Sequence, residues 1–264
     1  MQPYGLVRPW ISPMKNQKNY LRGQKGLGFI MEKMLYEGKS KIVYLGDDDK
    51  SCIIKYKDTA TAFNGEKKED LAGKGRLNAE ISNIIFDYLE KNGIKTHLIK
   101  VIDADTVLVK KAEIVLVEVI VRNVAAGSFS KKYGVPEGTE LNNIIVEFSF
   151  KSDEYGDPLI NNQQITAIGL ATEAELEDMA AQALKVNGLL CEFFKKLGIR
   201  LVDFKLEFGR FDGEVILCDE ISPDSCRFWD INTNEKLDKD RFRRDLGDVL
   251  DGYRDVLDRM KNAE

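Results

Sequence analysis

Residues 201–229, LVDFKLEFGRFDGEVILCDEISPDSCRFW, concentrate ionisable groups in what patterns as a β-hairpin. Side chains alternate across a strand. Asp203, Lys205 and Glu207 therefore fall on one face, and Val202, Phe204, Leu206 and Phe208 on the other. A Gly-Arg-Phe-Asp-Gly turn follows, then a second strand over residues 214–217 that runs into Asp219 and Glu220. The stretch closes with Ser222-Pro223-Asp224-Ser225-Cys226-Arg227. A solvated outer face of an antiparallel sheet would account for the alternating charge. The bulky apolar residues between the charges instead require packing on at least one side, so one hairpin can carry both core and site. The turn sets its geometry. With Asp212-Gly213 as a two-residue turn, Phe211 pairs with Glu214, Glu207 shares its face with Cys218, and Asp219 points away from Glu207. A three-residue loop over residues 211–213 pairs Arg210 with Glu214 and brings Asp219 onto the face of Glu207, opposite Lys205. If Glu207 and Asp219 are to share a cation, the longer loop or an equivalent bulge is expected.

The 264 residues suffice for one large domain or for two smaller ones around a cleft. With 43% hydrophobic and 31% charged residues the composition is that of an ordinary soluble globular protein. The 39 basic and 44 acidic residues leave a net charge of −5, which gives no basis for nucleic-acid binding. No apolar run approaches membrane-spanning length. Cys52, Cys191, Cys218 and Cys226 show no metal-site spacing and are expected to be reduced thiols of a cytoplasmic protein. His97 is the only histidine, and its place at a strand entry favours a structural role over catalysis.

Along the chain, residues 1–33 are basic and rich in Pro, Gly, Gln and Asn; they are expected to be a poorly ordered extension, with Met31 or Met34 the functional start. Residues 35–46 and 51–57 form two antiparallel strands, and Lys39 and Lys41 alternate with their neighbours so that both project to one face. Gly38-Lys39-Ser40 has the ending of a P-loop, but Lys33 stands where that loop needs its first glycine. A glycine-bearing hairpin with two lysines can still cover nucleotide phosphates. Residues 57–70 are polar and expected to be a mobile loop. A helix to about Lys91 follows, with Leu77, Ile81, Ile84, Ile85 and Tyr88 as its buried stripe, and then three strands. Residues 112–116 cross between two lobes, and their backbone groups, at Glu113 and Val115, could pair with an adenine edge. Arg122, followed by small residues ending in Gly127-Ser128, suits a phosphate pocket, or simply a tight turn with a surface arginine. Thr172-Glu-Ala-Glu opens a second helix with a capping box, and one last helical element begins near Asp238.

Carboxylates converging without histidine or thiolate suit a hard cation such as Mg²⁺. Lysines and arginines in several places suit more than one phosphate-bearing ligand, so the residues point to an enzyme using ATP and Mg²⁺ on a phosphorylated second substrate. A small-molecule kinase and a nucleotide-sensing module share these features. The motifs YEGKSKIVY, VEVIVRNVAAGS, LVDFKLEFG, DEISPDSCRFWD and LDKDRFRRDLG resemble the phosphoribosylaminoimidazole-succinocarboxamide synthase (SAICAR synthetase) family in its short bacterial form.

The resemblance implies an α+β fold of two lobes with antiparallel sheets and flanking helices, ATP-grasp-like, with the nucleotide in the inter-lobe cleft. Residues 34–115 would form an ATP-covering lobe and 116–264 a lobe with the metal and ribonucleotide sites. It implies ligation of L-aspartate to carboxyaminoimidazole ribonucleotide (CAIR) with ATP, through an acyl phosphate by reaction class, in a homodimer. Carried over by motif, Lys39 and Lys41 would meet ATP phosphates, and Glu207 and Asp219 would hold Mg²⁺. Arg122, Ser128 and Arg227 would hold the ribonucleotide phosphate, with Asp224 a further substrate contact. Asp203 and Lys205, near the ring and carboxylate of CAIR, would be the catalytic pair. Cys218 and Cys226 depart from the glycine and serine common in relatives and leave the charged positions intact.

Overall fold

The computed structural model describes residues 33–262, so the N-terminal extension, up to residue 32, lies outside the described residues. Strand β1 (Met34–Glu37) pairs with β2 (Lys41–Leu45), and the Gly38 N–H donates to the Lys41 carbonyl at 2.8 Å to close a tight turn. What patterns as one strand over residues 35–46 is thus two. Lys39 sits in the turn while Lys41 is buried on β2, so the two lysines do not share a strand face. Strand β3 (Ser51–Tyr56) continues a five-stranded antiparallel sheet of order β1-β2-β3-β7-β6, where β6 is Leu98–Asp103 and β7 is Thr106–Lys110.

Residues 57–70, expected as a loop, form a hairpin of β4 (Thr59–Ala62) and β5 (Lys67–Asp70). Ala60 and Ala62 pack on Phe242, and Lys67 Nζ donates to the Phe242 carbonyl at 2.6 Å. The partner that orders this polar segment lies far along the chain, where local pattern is blind.

Helix α1 (Lys74–Lys91) stands between two cores. Ala79 packs with Cys52, Ile54, Tyr56, Val107 and Val109 of the first sheet, while Ile81, Ile85, Phe86 and Leu89 join the main core under a second sheet. Leu77, Ile84 and Tyr88 of the expected stripe are only partly buried against that core. The second sheet begins at β8 (Glu113–Val124), just past the end of β7, and adds β9 (Glu140–Phe150), β10 (Leu159–Ile160), β11 (Ile199–Phe211), β12 (Glu214–Cys218) and β13 (Cys226–Asp230). Its order is β10-β9-β8-β11-β12, with β13 also paired to β11, and every pairing is antiparallel. The result is a mixed α+β fold with antiparallel sheets.

Short helices α2 (Gly127–Tyr133) and α3 (Asn162–Ala167) precede the long α4 (Glu173–Lys196), which packs along β11. The capping box forms as its sequence requires: the Glu175 N–H donates to Thr172 Oγ1 at 3.3 Å, and the Thr172 N–H to Glu175 Oε2 at 2.8 Å. Thr172→Ala is expected to cost about 1 kcal/mol, a fall of roughly 2–4 °C in a melt followed by circular dichroism. The last element is two helices rather than one, α5 (Asp240–Arg243) and α6 (Val249–Lys261). Asp245 and Gly247 between them take φ of 52° and 96°, the left-handed region that a continuing helix cannot use. No described helix is long and apolar enough to cross a membrane.

Candidate active site

Strand β11 lies inside the second sheet, with β8 on one edge and β12 and β13 on the other. Its charged face is not solvated: Asp203 and Glu207 are 4% and 6% exposed. Phe204, Leu206 and Phe208 fill the main core beneath, together with Leu201. Val202 packs elsewhere, with Val124, Ala126 and Trp229, because the register against β13 shifts between Leu201 and Asp203. The hairpin turn is the two-residue one. Phe211 pairs with Glu214 and Glu207 with Cys218, while Asp212 and Gly213 take φ of 49° and 83°. The longer loop does not form. Strand β12 ends at Cys218 instead, and Asp219 takes φ of 61°, so strand alternation no longer governs its side chain. Its charge acts on both lysines that hold Glu207.

Those lysines belong to a buried network of four groups. Lys205 Nζ lies 2.6 Å from Glu118 Oε1 and 3.0 Å from Glu207 Oε1, and Lys151 Nζ lies 2.7 Å from the same Glu207 oxygen. Burial alone would push the Glu207 carboxyl up, but Lys205 and Lys151 hold it well below the usual carboxylate range. Burial likewise opposes the Lys205 charge, yet Glu207 and Glu118 raise its pKa. Burial raises that of Glu118, which shares its cations with Glu207. Lys41 makes a second network, 2.5 Å from Asp219 Oδ1 and 2.8 Å from Glu220 Oε1. Burial opposes its charge, but those two carboxylates keep its pKa far above that of a free lysine. Lys39 stands apart, pairing with Asp153 at 2.6 Å on the surface.

The third network joins the arginines. Arg227 Nη1 donates to Asp203 Oδ1 at 2.9 Å and Oδ2 at 2.8 Å, and Arg122 Nη1 to Oδ2 at 3.1 Å. Arg122 also reaches Glu147 at 2.6 Å and Ser128 Oγ at 3.3 Å, and Arg227 reaches Asp240 at 3.0 Å. Arg122, Ser128, Asp203 and Arg227 are thus together, as the motifs lead one to expect. Gly127 makes the fit possible: a Cβ there would lie 2.3 Å from Arg227 Nη2, at a φ of +54°. Gly127→Ala is expected to push Arg227 off Asp203 and to cost roughly the 1.5–3 kcal/mol of a hydrogen bond to a charged group, read as a lowered Tm in a thermal melt; an unchanged Tm would contradict it.

Asp224 is held from behind, at 2.5 Å from the fully buried Lys74 and 2.6 Å from the Tyr253 hydroxyl. Glu113 and Val115 open β8, where Glu113 pairs with Arg210 and the Val115 side chain is buried. His97 is buried with its ring edge-on to Phe86 at 5.5 Å, and burial lowers its pKa to about 4. That accords with a structural role. Sequence reasoning missed Glu118, Lys151, Glu147, Lys74 and Asp240. Glu118 carried a signal, since Val117, Val119 and Val121 alternate with it and with Arg122. Lys151 carried none, because only the β8–β9 pairing brings it to Glu207.

Antiparallel sheets flanked by helices, with lysines and arginines buried against carboxylates along one strand, define an α+β enzyme suited to anionic substrates. The profile of the SAICAR synthetase family matches residues 34–260. The phosphoribosylaminoimidazole-succinocarboxamide synthases of Clostridium perfringens and Clostridium novyi are 56% and 57% identical over 229 and 233 residues. They cover 87% and 88% of this chain and 97% and 99% of their own lengths. The crystal structure of that enzyme from Ehrlichia chaffeensis superposes with a TM-score of 0.85 at 43% identity, covering 87% of this chain and 98% of that one. A SAICAR synthetase in complex with ADP gives a TM-score of 0.84 at 47% identity, covering 86% and 97%. The chain belongs to the SAICAR synthetase family. Its activity is that of a phosphoribosylaminoimidazole-succinocarboxamide synthase, a carbon–nitrogen ligase of purine biosynthesis.

Proposed function

We propose that the three networks divide the ligation of L-aspartate to CAIR among them, with ATP between the two sheets in an ATP-grasp-like cleft. The observation that carries this reading is that one strand, β11, brings Asp203, Lys205 and Glu207 side by side into buried ion networks. Lys41 and Lys39 meet the ATP phosphates, and the backbone of Glu113 and Val115, where the chain passes between the sheets, meets the adenine. A solved relative of similar fold holds ADP. Arg122, Ser128 and Arg227 take the ribonucleotide phosphate, and Asp224 supports the substrate region through the lysines around it.

Glu207 and Asp219 fit Mg²⁺ by donor chemistry. Both offer carboxylate oxygens, and Lys151 and Lys205 donate to the Oε1 oxygen of Glu207. No cluster of three or more His, Cys, Asp or Glu donors occurs among the described residues, so a cation held by Glu207 and Asp219 would have to take its remaining ligands from water and phosphate oxygens. When bound, Mg²⁺ supplies charge neutralisation at the transferring phosphoryl group.

A carboxylate is a poor acyl donor because its oxygen leaves badly. Attack of a CAIR carboxylate oxygen on the γ-phosphorus of ATP expels ADP and gives an acyl phosphate. The L-aspartate amine then adds to the acyl carbon, loses a proton, and inorganic phosphate leaves. Lys205 and Lys151 offset negative charge on the carboxylate side, and Asp203 fixes the two arginines that orient the ribonucleotide. A homodimer in the cytoplasm belongs to the same reading; the described cysteines are all free thiols. An ADP-release assay omitting CAIR and L-aspartate in turn tests it. Full turnover is expected only with both, and sustained ADP release without L-aspartate would make the chain a kinase.

A further inference from the structure

Lys41 carries two assignments that pull against each other. Its ammonium is placed at the ATP phosphates, yet it lies 2.5 Å from Oδ1 of Asp219, the residue placed at the divalent cation. A cation that draws on Asp219 competes with Lys41 for the same carboxylate. The Lys41 side chain is only 10% exposed, and a buried ammonium stripped of its counter-ion is costly. A second carboxylate is within reach: Glu220 Oε1 lies 2.8 Å from the same Nζ. Neighbouring residues on a strand face opposite ways. Here β12 has ended at Cys218 and Asp219 takes a φ of 61°, where alternation no longer applies, and both carboxylates reach one ammonium.

The two carboxylates are not equivalent. The Glu220 side chain is 5% exposed and has both oxygens engaged, Oε1 by Lys41 and Oε2 by the Ser222 hydroxyl at 2.6 Å. The loop around it is fastened as well. Ser222 Oγ accepts from the Asp224 N–H at 3.1 Å, Ser225 Oγ donates to the Glu220 carbonyl at 3.2 Å, and Ser82 Oγ on α1 accepts from the Ile221 N–H at 3.2 Å. The Asp219 side chain, at 28% exposed, is the more open of the pair. A divalent cation that keeps its waters can therefore approach Asp219 more readily than Glu220. We propose that Glu220 is a positioning residue that holds Lys41 at the nucleotide phosphates while Asp219 exchanges the lysine for the divalent cation. This rests on the placing of Lys41 and Asp219 in the ligase reading above.

Glu220→Gln keeps the shape of the side chain and removes its charge. The amide oxygen can accept from Lys41 while the N–H₂ donates to Ser222 Oγ, so both contacts survive without the ion pair. Asp219 is then left as the close carboxylate of Lys41, and metal binding has to break that pair. The readout is the dissociation constant of ADP, measured by isothermal titration calorimetry with and without Mg²⁺. The gain in ADP affinity that Mg²⁺ brings is expected to fall about tenfold or more in the variant, the scale of one hydrogen bond between charged groups. A structural brace would lower ADP affinity equally in both conditions, so an unchanged gain overturns the proposal. A crystal structure of the wild-type enzyme with ADP and Mg²⁺ guards against a variant that does not fold. Lys41 should stay on Glu220 with Asp219 at the metal; Lys41 on Asp219 alone, or the metal on Glu220, overturns the assignment. Wild-type enzyme that binds ADP equally well with and without Mg²⁺ would show separately that the metal reading fails, and the role of Glu220 with it.

Discussion

Glu207→Gln is expected to lower kcat by about 10²–10³-fold, the scale of losing one preorganised electrostatic contact at a charge-transfer site. The amide keeps the shape of the side chain and can still accept one lysine hydrogen bond. It cannot neutralise two ammonium groups or bind a divalent cation with comparable strength. Neither lysine is left without a carboxylate: Lys205 keeps Glu118 at 2.6 Å and Lys151 keeps it at 3.9 Å. The stability loss should therefore fall at or below the low end of the 3–5 kcal/mol typical of a broken buried pair. Its pH dependence has a definite sign. The folded-state pKa of Glu207 is depressed by Lys205 and Lys151 against the opposing effect of burial. Its contribution is thus complete above the unfolded-state value of about 4.3 and declines as pH falls below it. The difference in Tm between wild type and variant should be constant from neutral pH to about 5 and shrink in more acid solution. Titration of Mg²⁺ in the ADP-release assay should show a raised requirement. Wild-type kcat and an unchanged Mg²⁺ requirement would remove Glu207 from the reaction.

How much of this arrangement the sequence discloses depends on the range of the interactions. Alternation along β11 is local, and it correctly assigns Asp203, Lys205 and Glu207 to one face. The same rule misplaces Lys39, because the turn at residues 38–40 cannot be told from a continuous strand without the hydrogen bond that closes it. It also ties the metal reading to a three-residue hairpin loop. The hairpin has the two-residue turn instead, and Asp219 takes a left-handed φ just past the end of β12, where alternation no longer governs its side chain. Aspartate is among the residues that tolerate this conformation, so the outcome is legible only in retrospect.

Nonlocal partners stay hidden for a plainer reason. Glu118 belongs to the Lys205 site because β8 pairs with β11, and Lys151 because β9 pairs with β8. The hairpin at residues 59–70 is ordered by Phe242, from a helix near the other end of the chain. The motif resemblance reached the arginine site because Arg122, Ser128, Asp203 and Arg227 all lie within the motifs it rests on. It said nothing of the carboxylates that hold those arginines apart from Asp203. Glu147 and Asp240 hold them as well, which is the reason both arginines stay beside Asp203.

That reason makes Asp203→Asn the most informative change at the arginine site. Asp203 accepts from both guanidinium groups, and its oxygens are their shared point of contact. Guanidinium groups only donate, so the new amide N–H₂ must face one of them donor to donor. Arg122 retains Glu147 and Arg227 retains Asp240, which limits the damage to about 3 kcal/mol, the low end for a broken buried pair. At this chain length that is a fall in Tm of roughly 6–12 °C. If Asp203 fixes the arginines that hold the ribonucleotide, kcat/KM for CAIR should drop about 100-fold or more, the sum of two weakened charge-assisted contacts. If ATP is bound through Lys41 on the other network, its KM should move little. CAIR should also stabilise the variant less than wild type in a thermal melt, because binding raises Tm only in proportion to affinity. A lowered Tm with unchanged CAIR kinetics would reduce Asp203 to a brace of the sheet. A loss confined to kcat would place its carboxylate at the reacting atoms, leaving the arginines' grip on the phosphate independent of it.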